Sequence, residues 1–276
     1  MVFPLTIISS RVSILLTPTS SLIKLGLRGG NMEELTQRQI DILRSIIQEY
    51  SDTGEPVGSD ILEKKFKLGV SPATIRNEMV ELSKKDYLKK AHFSSGRIPS
   101  AKGFRFYIKN LMKKKDLSTA DEVAYKNSIW DERNETHRLL SQATKVLANR
   151  TGLLSLTATN KGDLYYAGIA NLMDKPEFLN WDLSKMLFGK LDETDYWEKI
   201  LEQLQKINEE IFYLLGDDDF TDLVFESCAS IFCEFETDKL QGIIGVVGPK
   251  RMGYDVISPQ IKYFSSLIEE ILRAQK

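Results

Sequence analysis

The side chains best suited to chemistry in this 276-residue sequence cluster between residues 71 and 105. Ser71-Pro72 is a strong helix start, with serine at the N-cap and proline at the first helical position. At about 100° per residue, Ile75, Met79 and Leu82 fall on one side of that helix. Ala73, Asn77, Val80 and Lys84 fall opposite, with Thr74 and Arg76 on the flanks. These residue types suit the edges of base pairs. Asn77 can pair bidentately with adenine and Arg76 with guanine, and the methyl of Ala73 or Thr74 can touch thymine. The free amides at Ser71–Thr74 favour a phosphate nearby. Further on, Arg97 is placed to reach a phosphate or the minor groove, and Lys102 and Arg105 to hold the backbone. The candidate DNA-binding set is therefore Ser71, Ala73, Thr74, Arg76, Asn77, Lys84, Arg97, Lys102 and Arg105.

Other chemistries find little material. The two histidines, His92 and His137, are far apart, and Cys228 and Cys233 lack the spacing of a zinc pair. Gly242, Gly245 and Gly248 lie inside an apolar strand pattern, not between a strand and a helix, which disfavours dinucleotide binding. Asp217-Asp218-Asp219 lacks the glycine and later glutamate of a calcium loop and reads as a solvated turn. Ser227 has no positioned base that sequence can show. No catalytic constellation emerges, and no enzyme activity, metal or cofactor is expected. Apolar residues at 42% and charged residues at 28% describe a globular chain and exclude fibrous, disordered and polytopic membrane classes.

The net charge of −2 hides a division. Residues 32–115 hold 17 Lys/Arg and 11 Asp/Glu; residues 116–276 hold 17 and 28. Within 64–115 the balance is 15 basic to 3 acidic. A basic block joined to an acidic one is the electrostatic pattern of a nucleic-acid reader attached to another unit. Residues 1–31 are apolar and acid-free, broken by Pro4 and Pro18, and unsuited to a membrane span. They are expected to be a leader outside the natural coding sequence. Translation would start at Met32, with Arg28-Gly29-Gly30-Asn31 reading through a ribosome-binding site.

The elements that must position the basic residues are readable. Thr36 can cap a helix carrying Ile40, Leu43, Ile46, Ile47 and Tyr50, ended by Gly54 and Pro56. Ser59 can cap a second helix with Ile61, Leu62 and Phe66, closed near Gly69. The Ser71-Pro72 helix is the third, giving a helix-turn-helix core. Tyr87–Lys90 reads as a strand, and His92–Ile98, with Ser94-Ser95-Gly96, as a β-wing. Ser100 then caps a helix with Phe104, Tyr107, Ile108 and Leu111. Residues 32–115 are thus expected to be a winged helix-turn-helix domain.

The segments TGEPVGS at 53–59, GVSPATIRNEM at 69–79 and SSGRIPSAKGFRFY at 94–107 are more specific than a generic helix-turn-helix. They resemble the N-terminal domain of the HrcA family of bacterial heat-inducible transcription repressors. GIANLMDKPEF at 168–178 and GIIGVVGPKRMGY at 242–254 are similar to later motifs of that family, and the resemblance runs along most of 35–272. It implies a homodimer that binds double-stranded DNA at the inverted-repeat CIRCE operator and represses chaperone genes. It also implies a GroEL-type chaperonin as partner, a cytoplasmic location and a GAF-like second domain.

Residues 116–276 are expected to be that dimerising and regulatory domain, of α+β class. One helix is expected from Thr119 toward Arg150, with Thr119–Glu122 as a capping box. Leu153–Thr159 and Leu164–Ala170 read as strands, followed by helices near 180–190 and 195–207. Ile211–Leu215, Ala229–Glu236 and Gln241–Val247 read as strands, and Tyr254–Arg273 as a terminal helix. Only Thr151–Tyr166 separate the first helix from the GIANLM segment, where the family has a longer stretch. The GAF-like domain is therefore reduced and the family's dimer interface cannot be carried over. Trp181, Leu183, Met186, Leu187 and Phe188 are either its replacement or core. The alternative reading of function is a winged-helix regulator controlled by a small molecule bound in the GAF-like domain.

Overall fold

The computed structural model describes residues 35–91, 96–113, 115–207, 209–216 and 228–275. The expected leader at 1–31, the wing tip with His92, the Asp217–Asp219 turn and Ser227 lie outside the described residues.

The described chain is mixed α and β. It opens with three helices, α1 (Gln37–Thr53), α2 (Ser59–Lys65) and α3 (Pro72–Lys84). A two-stranded antiparallel hairpin follows, β1 (Leu88–Lys90) on β2 (Arg97–Pro99), then α4 (Ala101–Phe106), which runs into a π-helical turn at Tyr107–Leu111. Local chemistry accounts for these boundaries. Thr36 and Gln39 form a reciprocal capping box at the start of α1, and Gly54, with φ 74°, ends it in the left-handed region where glycine is favoured. Ser100 caps α4 by accepting from the Gly103 amide. The second cap differs from the expectation. Gly58 occupies the N-cap of α2, and the Ser59 hydroxyl donates to Asp60. On α1 the buried apolar residues are Ile42, Leu43, Ile46 and Ile47, whereas Ile40 is only half-buried.

The single helix expected from Thr119 to Arg150 is two, α5 (Thr119–Trp130) and α6 (Thr136–Thr151), and the first is capped by Ser118 rather than Thr119. The polar run Asp131–Glu135 makes the turn, held by Gln275 donating to the Arg133 carbonyl. Folding back lets α6 as well as α5 pack on the last helix, α10 (Tyr254–Ala274), which one straight helix could not do.

Between α6 and α10 the chain builds β3 (Leu154–Thr159), β4 (Leu164–Ala167), α7 (Ile169–Met173), a 3₁₀ turn (Pro176–Leu179), α8 (Trp181–Leu191), α9 (Thr194–Leu204), β5 (Phe212–Leu214), β6 (Cys228–Glu236) and β7 (Gln241–Pro249). The five strands form one antiparallel sheet in the order β4-β3-β7-β6-β5. Alternation along β6 serves both faces. Ala229, Ile231, Cys233 and Phe235 join the core under α5, α6 and α10, while Cys228 and Phe232 join a second core with α8 and α9. Both cysteines are buried and form no disulfide. Leu183 and Leu187 belong to this second core, so of the five residues weighed for a dimer interface these two are interior, whereas Trp181 is 74% exposed.

Gly245 sits where the sheet is tightest. A β-carbon there would stand 2.0 Å from the Ile231 carbonyl oxygen and 2.3 Å from the Phe232 ring. The glycines of 242–248 therefore let strands and side chains close on β7 within the sheet. Gly245→Ala is expected to destabilise the protein by about 1–3 kcal/mol through overpacking, read as a lowered denaturant midpoint at unchanged slope.

Candidate nucleic-acid interface

Helix α3 carries the candidate site, and its orientation follows from its apolar side. Ile75, Met79 and Leu82 are buried in the main core with Leu43, Ile46 and Leu62 of α1 and α2. Glu78 ties the same helix to α1, accepting from Gln39 at 3.1 Å and from Arg38 at 3.4 Å. The opposite side is open. Ala73, Arg76, Asn77, Val80 and Lys84 are exposed, and the side chains of Arg76 and Asn77 make no hydrogen bond or ion pair with other described residues. Ser71 accepts from the Thr74 amide at 3.2 Å and shares a second bond with its hydroxyl at 3.0 Å. The cap thus orders the first turn, while the remaining amides at the helix start carry the positive end of its dipole. Lys84 leans on Glu81 in an exposed i,i+3 pair, which costs little to exchange for another anion.

The other basic residues are held by the hairpin and α4. Lys102 is exposed. Its ammonium donates to the Lys85 carbonyl at 2.8 Å and lies 4.6 Å from the centre of the Tyr87 ring. Arg105 is half-buried and engaged with other groups. Arg97 differs from the outward reach anticipated for it. It is half-buried at the first position of β2, opposite Lys90, with Nε donating to the Ser83 hydroxyl of α3 at 3.0 Å. Its backbone exchanges two hydrogen bonds of 2.9 Å with Val57, in the loop between α1 and α2. The structure therefore gathers Ser71, Ala73, Thr74, Arg76, Asn77 and Lys84 on one helix, places Lys102 and Arg105 on α4 beyond the hairpin, and turns Arg97 inward between them.

Two exposed cations of the hairpin were not singled out from sequence. Lys89 and Lys90 both face solvent on β1, beside the buried Leu88. Strict alternation would send one of them inward, but a two-stranded hairpin backed only at its base leaves both outside. Their signal in the sequence was the pair of lysines at the end of a three-residue strand. Among the described residues no group of three or more His, Cys, Asp or Glu could hold a metal ion, and no helix is long and apolar enough to cross a membrane. Ser71→Ala should remove the α3 cap and cost about 1 kcal/mol, measured as a shift in the urea midpoint.

A family model described as the HrcA protein C terminal domain matches residues 72–257. The heat-inducible transcription repressor HrcA of Desulforamulus reducens is 25% identical over 347 residues, covering 88% of this chain and 99% of the relative. That alignment is longer than the 276-residue chain, so the relative carries residues with no counterpart here. The protein of the same name from Clostridioides difficile is 33% identical over 189 residues, 57% of this chain and 56% of the relative. A solved structure described as a hypothetical protein at 2.2 Å resolution shares the fold, with a TM-score of 0.73, 18% identity, and 88% of this chain and all of that one covered. With the model matching well over half of its length, this chain belongs to the HrcA family.

Proposed function

We propose that this protein is a DNA-binding transcription repressor of heat-shock genes, acting as a homodimer on an inverted-repeat operator of the CIRCE type. In this reading residues 32–115 are a winged helix-turn-helix reader and residues 116–276 a reduced GAF-like unit that dimerises and senses folding state. One observation carries the proposal: the outer side of α3 is open to solvent, with Arg76 and Asn77 unengaged by other described residues, in a stretch holding 15 basic and 3 acidic residues. A recognition helix needs that arrangement, since its N-terminal residues must meet base edges without first breaking contacts of their own. The names of the relatives support the repressor role. The inverted repeat requires two readers related by two-fold symmetry. Arg97 commits its Nε to Ser83, so in this reading it chiefly holds the hairpin against α3.

Sensing follows from ordinary stability. A domain a few kcal/mol from unfolding loses its active conformation on heating, and a GroEL-type chaperonin restores it. Free chaperonin then reports spare folding capacity.

A second reading, control by a small molecule, has one observation behind it. A cavity of about 470 Å³ lies at one end of the sheet, lined in part by Glu135, His137, Lys161, Asp163, Lys239 and Gln275. His137 and Tyr165 share a hydrogen bond beside it, and burial together with the Asp163 charge pushes the Tyr165 phenol up to about 12.

Substitutions sort the contacts. Arg76→Ala or Asn77→Ala should relax sequence preference at a cost of about 1–3 kcal/mol each. Lys102→Ala should weaken all duplexes alike and flatten the salt dependence by roughly 0.9 log units per lost phosphate contact. Band-shift titrations on matched and scrambled duplexes at several salt concentrations separate the two, and uniform losses throughout would remove α3 from the major groove. In the same assay chaperonin should raise the fraction of protein active after heating. Indifference to chaperonin, with a thermal shift of about 2.7 kcal/mol from a metabolite at 100 times its Kd, would favour the second reading.

A further inference from the structure

Three of the family-like segments meet at one point. TGEPVGS supplies Gly54, GIANLMDKPEF supplies Glu177, and GIIGVVGPKRMGY supplies Arg251. Arg251, in the turn after β7, donates Nε to one oxygen of Glu177 at 2.6 Å and Nη2 to the other at 3.3 Å. The pair is only partly exposed, at 20% and 27% of the two side chains. Glu177 stands in the 3₁₀ turn, so the pair locks the two turns to each other. The guanidinium also lies against the end of α1: a β-carbon on Gly54 would stand 3.0 Å from Arg251 Nε and 3.4 Å from Cζ. A helix C-terminus favours a cation, and α1 has no basic residue in its last turn. Arg251 therefore supplies that charge from the far side of the seam. Burial and the Glu177 charge push the Tyr50 phenol, in the last turn of α1, upward against the opposing Arg251 charge.

The remaining ties across the seam hold less direction. Phe104 tilts against Tyr254 with ring centres 5.8 Å apart and against Tyr50 at 6.3 Å, and Lys115 bonds Asp255 at 2.8 Å with most of its side chain in solvent. Aromatic contacts tolerate sliding and an exposed ion pair holds little, whereas the two-pronged pair to Glu177 fixes where the guanidinium stands against Gly54.

We propose that the Glu177–Arg251 pair, seated on the C-terminus of α1, is a positioning device that fixes the angle of the reader and thereby the spacing of half-sites that a dimer can occupy. This rests on the dimeric DNA-binding reading above. Two linked readers gain affinity only if both engage at once, so a loosened angle weakens binding to two half-sites and leaves a single half-site alone.

The test uses the full-length chain and a two-half-site duplex that the wild type selects from a random pool. The same duplex is also used with one half scrambled, and with the spacer lengthened or shortened by a base pair. Glu177→Gln and Arg251→Gln are expected to lose about tenfold on the two-half-site duplex and less than about twofold on the single half-site, with a flattened spacer profile. Arg251→Lys, which keeps the charge at the helix end but not the two-pronged geometry, is expected to flatten the spacer profile as well. Circular dichroism confirms that each variant is folded. Equal losses on both duplexes, or no loss on either, overturn the inference while leaving the dimeric reading intact. If the wild type itself never prefers two half-sites over one, the dimeric reading falls and this inference with it.

Discussion

Burial of three side chains, Ile75, Met79 and Leu82, decides what the rest of this molecule can do. They hold one side of a 13-residue helix in a core shared with α1 and α2, and the other side is thereby turned to solvent. Burying aliphatic side chains of this size is worth about 1.5–3 kcal/mol each, far more than any exposed ion pair on the same helix. The apolar side therefore sets the orientation, and the polar side, with Arg76 and Asn77, faces solvent. The Glu78 bonds to Arg38 and Gln39 refine the docking on α1 without directing it.

The same apolar cluster continues past the hairpin. Phe104 of α4 is buried beside Tyr254 at the start of α10, and from there the cluster runs under the sheet to Leu272. The N-terminal helices thus rest on a core continuous with the rest of the described chain. Beneath it the sheet is covered on both faces, by α5, α6 and α10 on one side and by α8 and α9 on the other. Burial on both faces explains why β3 alternates leucine and alanine with serine and threonine that still find partners inside. Thr157 bonds Thr144 of α6 at 2.7 Å, and Ser155 donates to the Gly245 carbonyl at 3.0 Å. Buried hydroxyls survive there because each is satisfied.

Much of this was legible in the order of residues. Caps and stops at Thr36, Gly54, Ser71 and Ser100 are local chemistry between residues three or four apart, and the structure has them as read. The cap of α2 and the break between α5 and α6 turn on competition, while the strand read through Leu164–Ala170 stops at Ala167 and α7 follows it. Gly58 and Ser59 were both acceptable caps, and Asp131–Glu135 could have continued a helix had α10 not offered a second surface to bury against. The dimer candidates show the same limit. Leu183 and Leu187 follow helical spacing as well as Trp181 does, and only the position of α9 and β3 puts two of them inside and one in solvent.

Residue order alone set the three helices before the hairpin, the sign of the charge on each half and the side of α3 that faces the core, because each depends on interactions within a few residues or on composition alone. Tertiary structure decided the meeting of Arg251 with Glu177 across 74 positions, the inward turn of Arg97 onto Ser83, and the exposure of both lysines on β1. Those outcomes rest on contacts between segments distant in the chain, where geometry is set by how cores close and no local pattern records the partner.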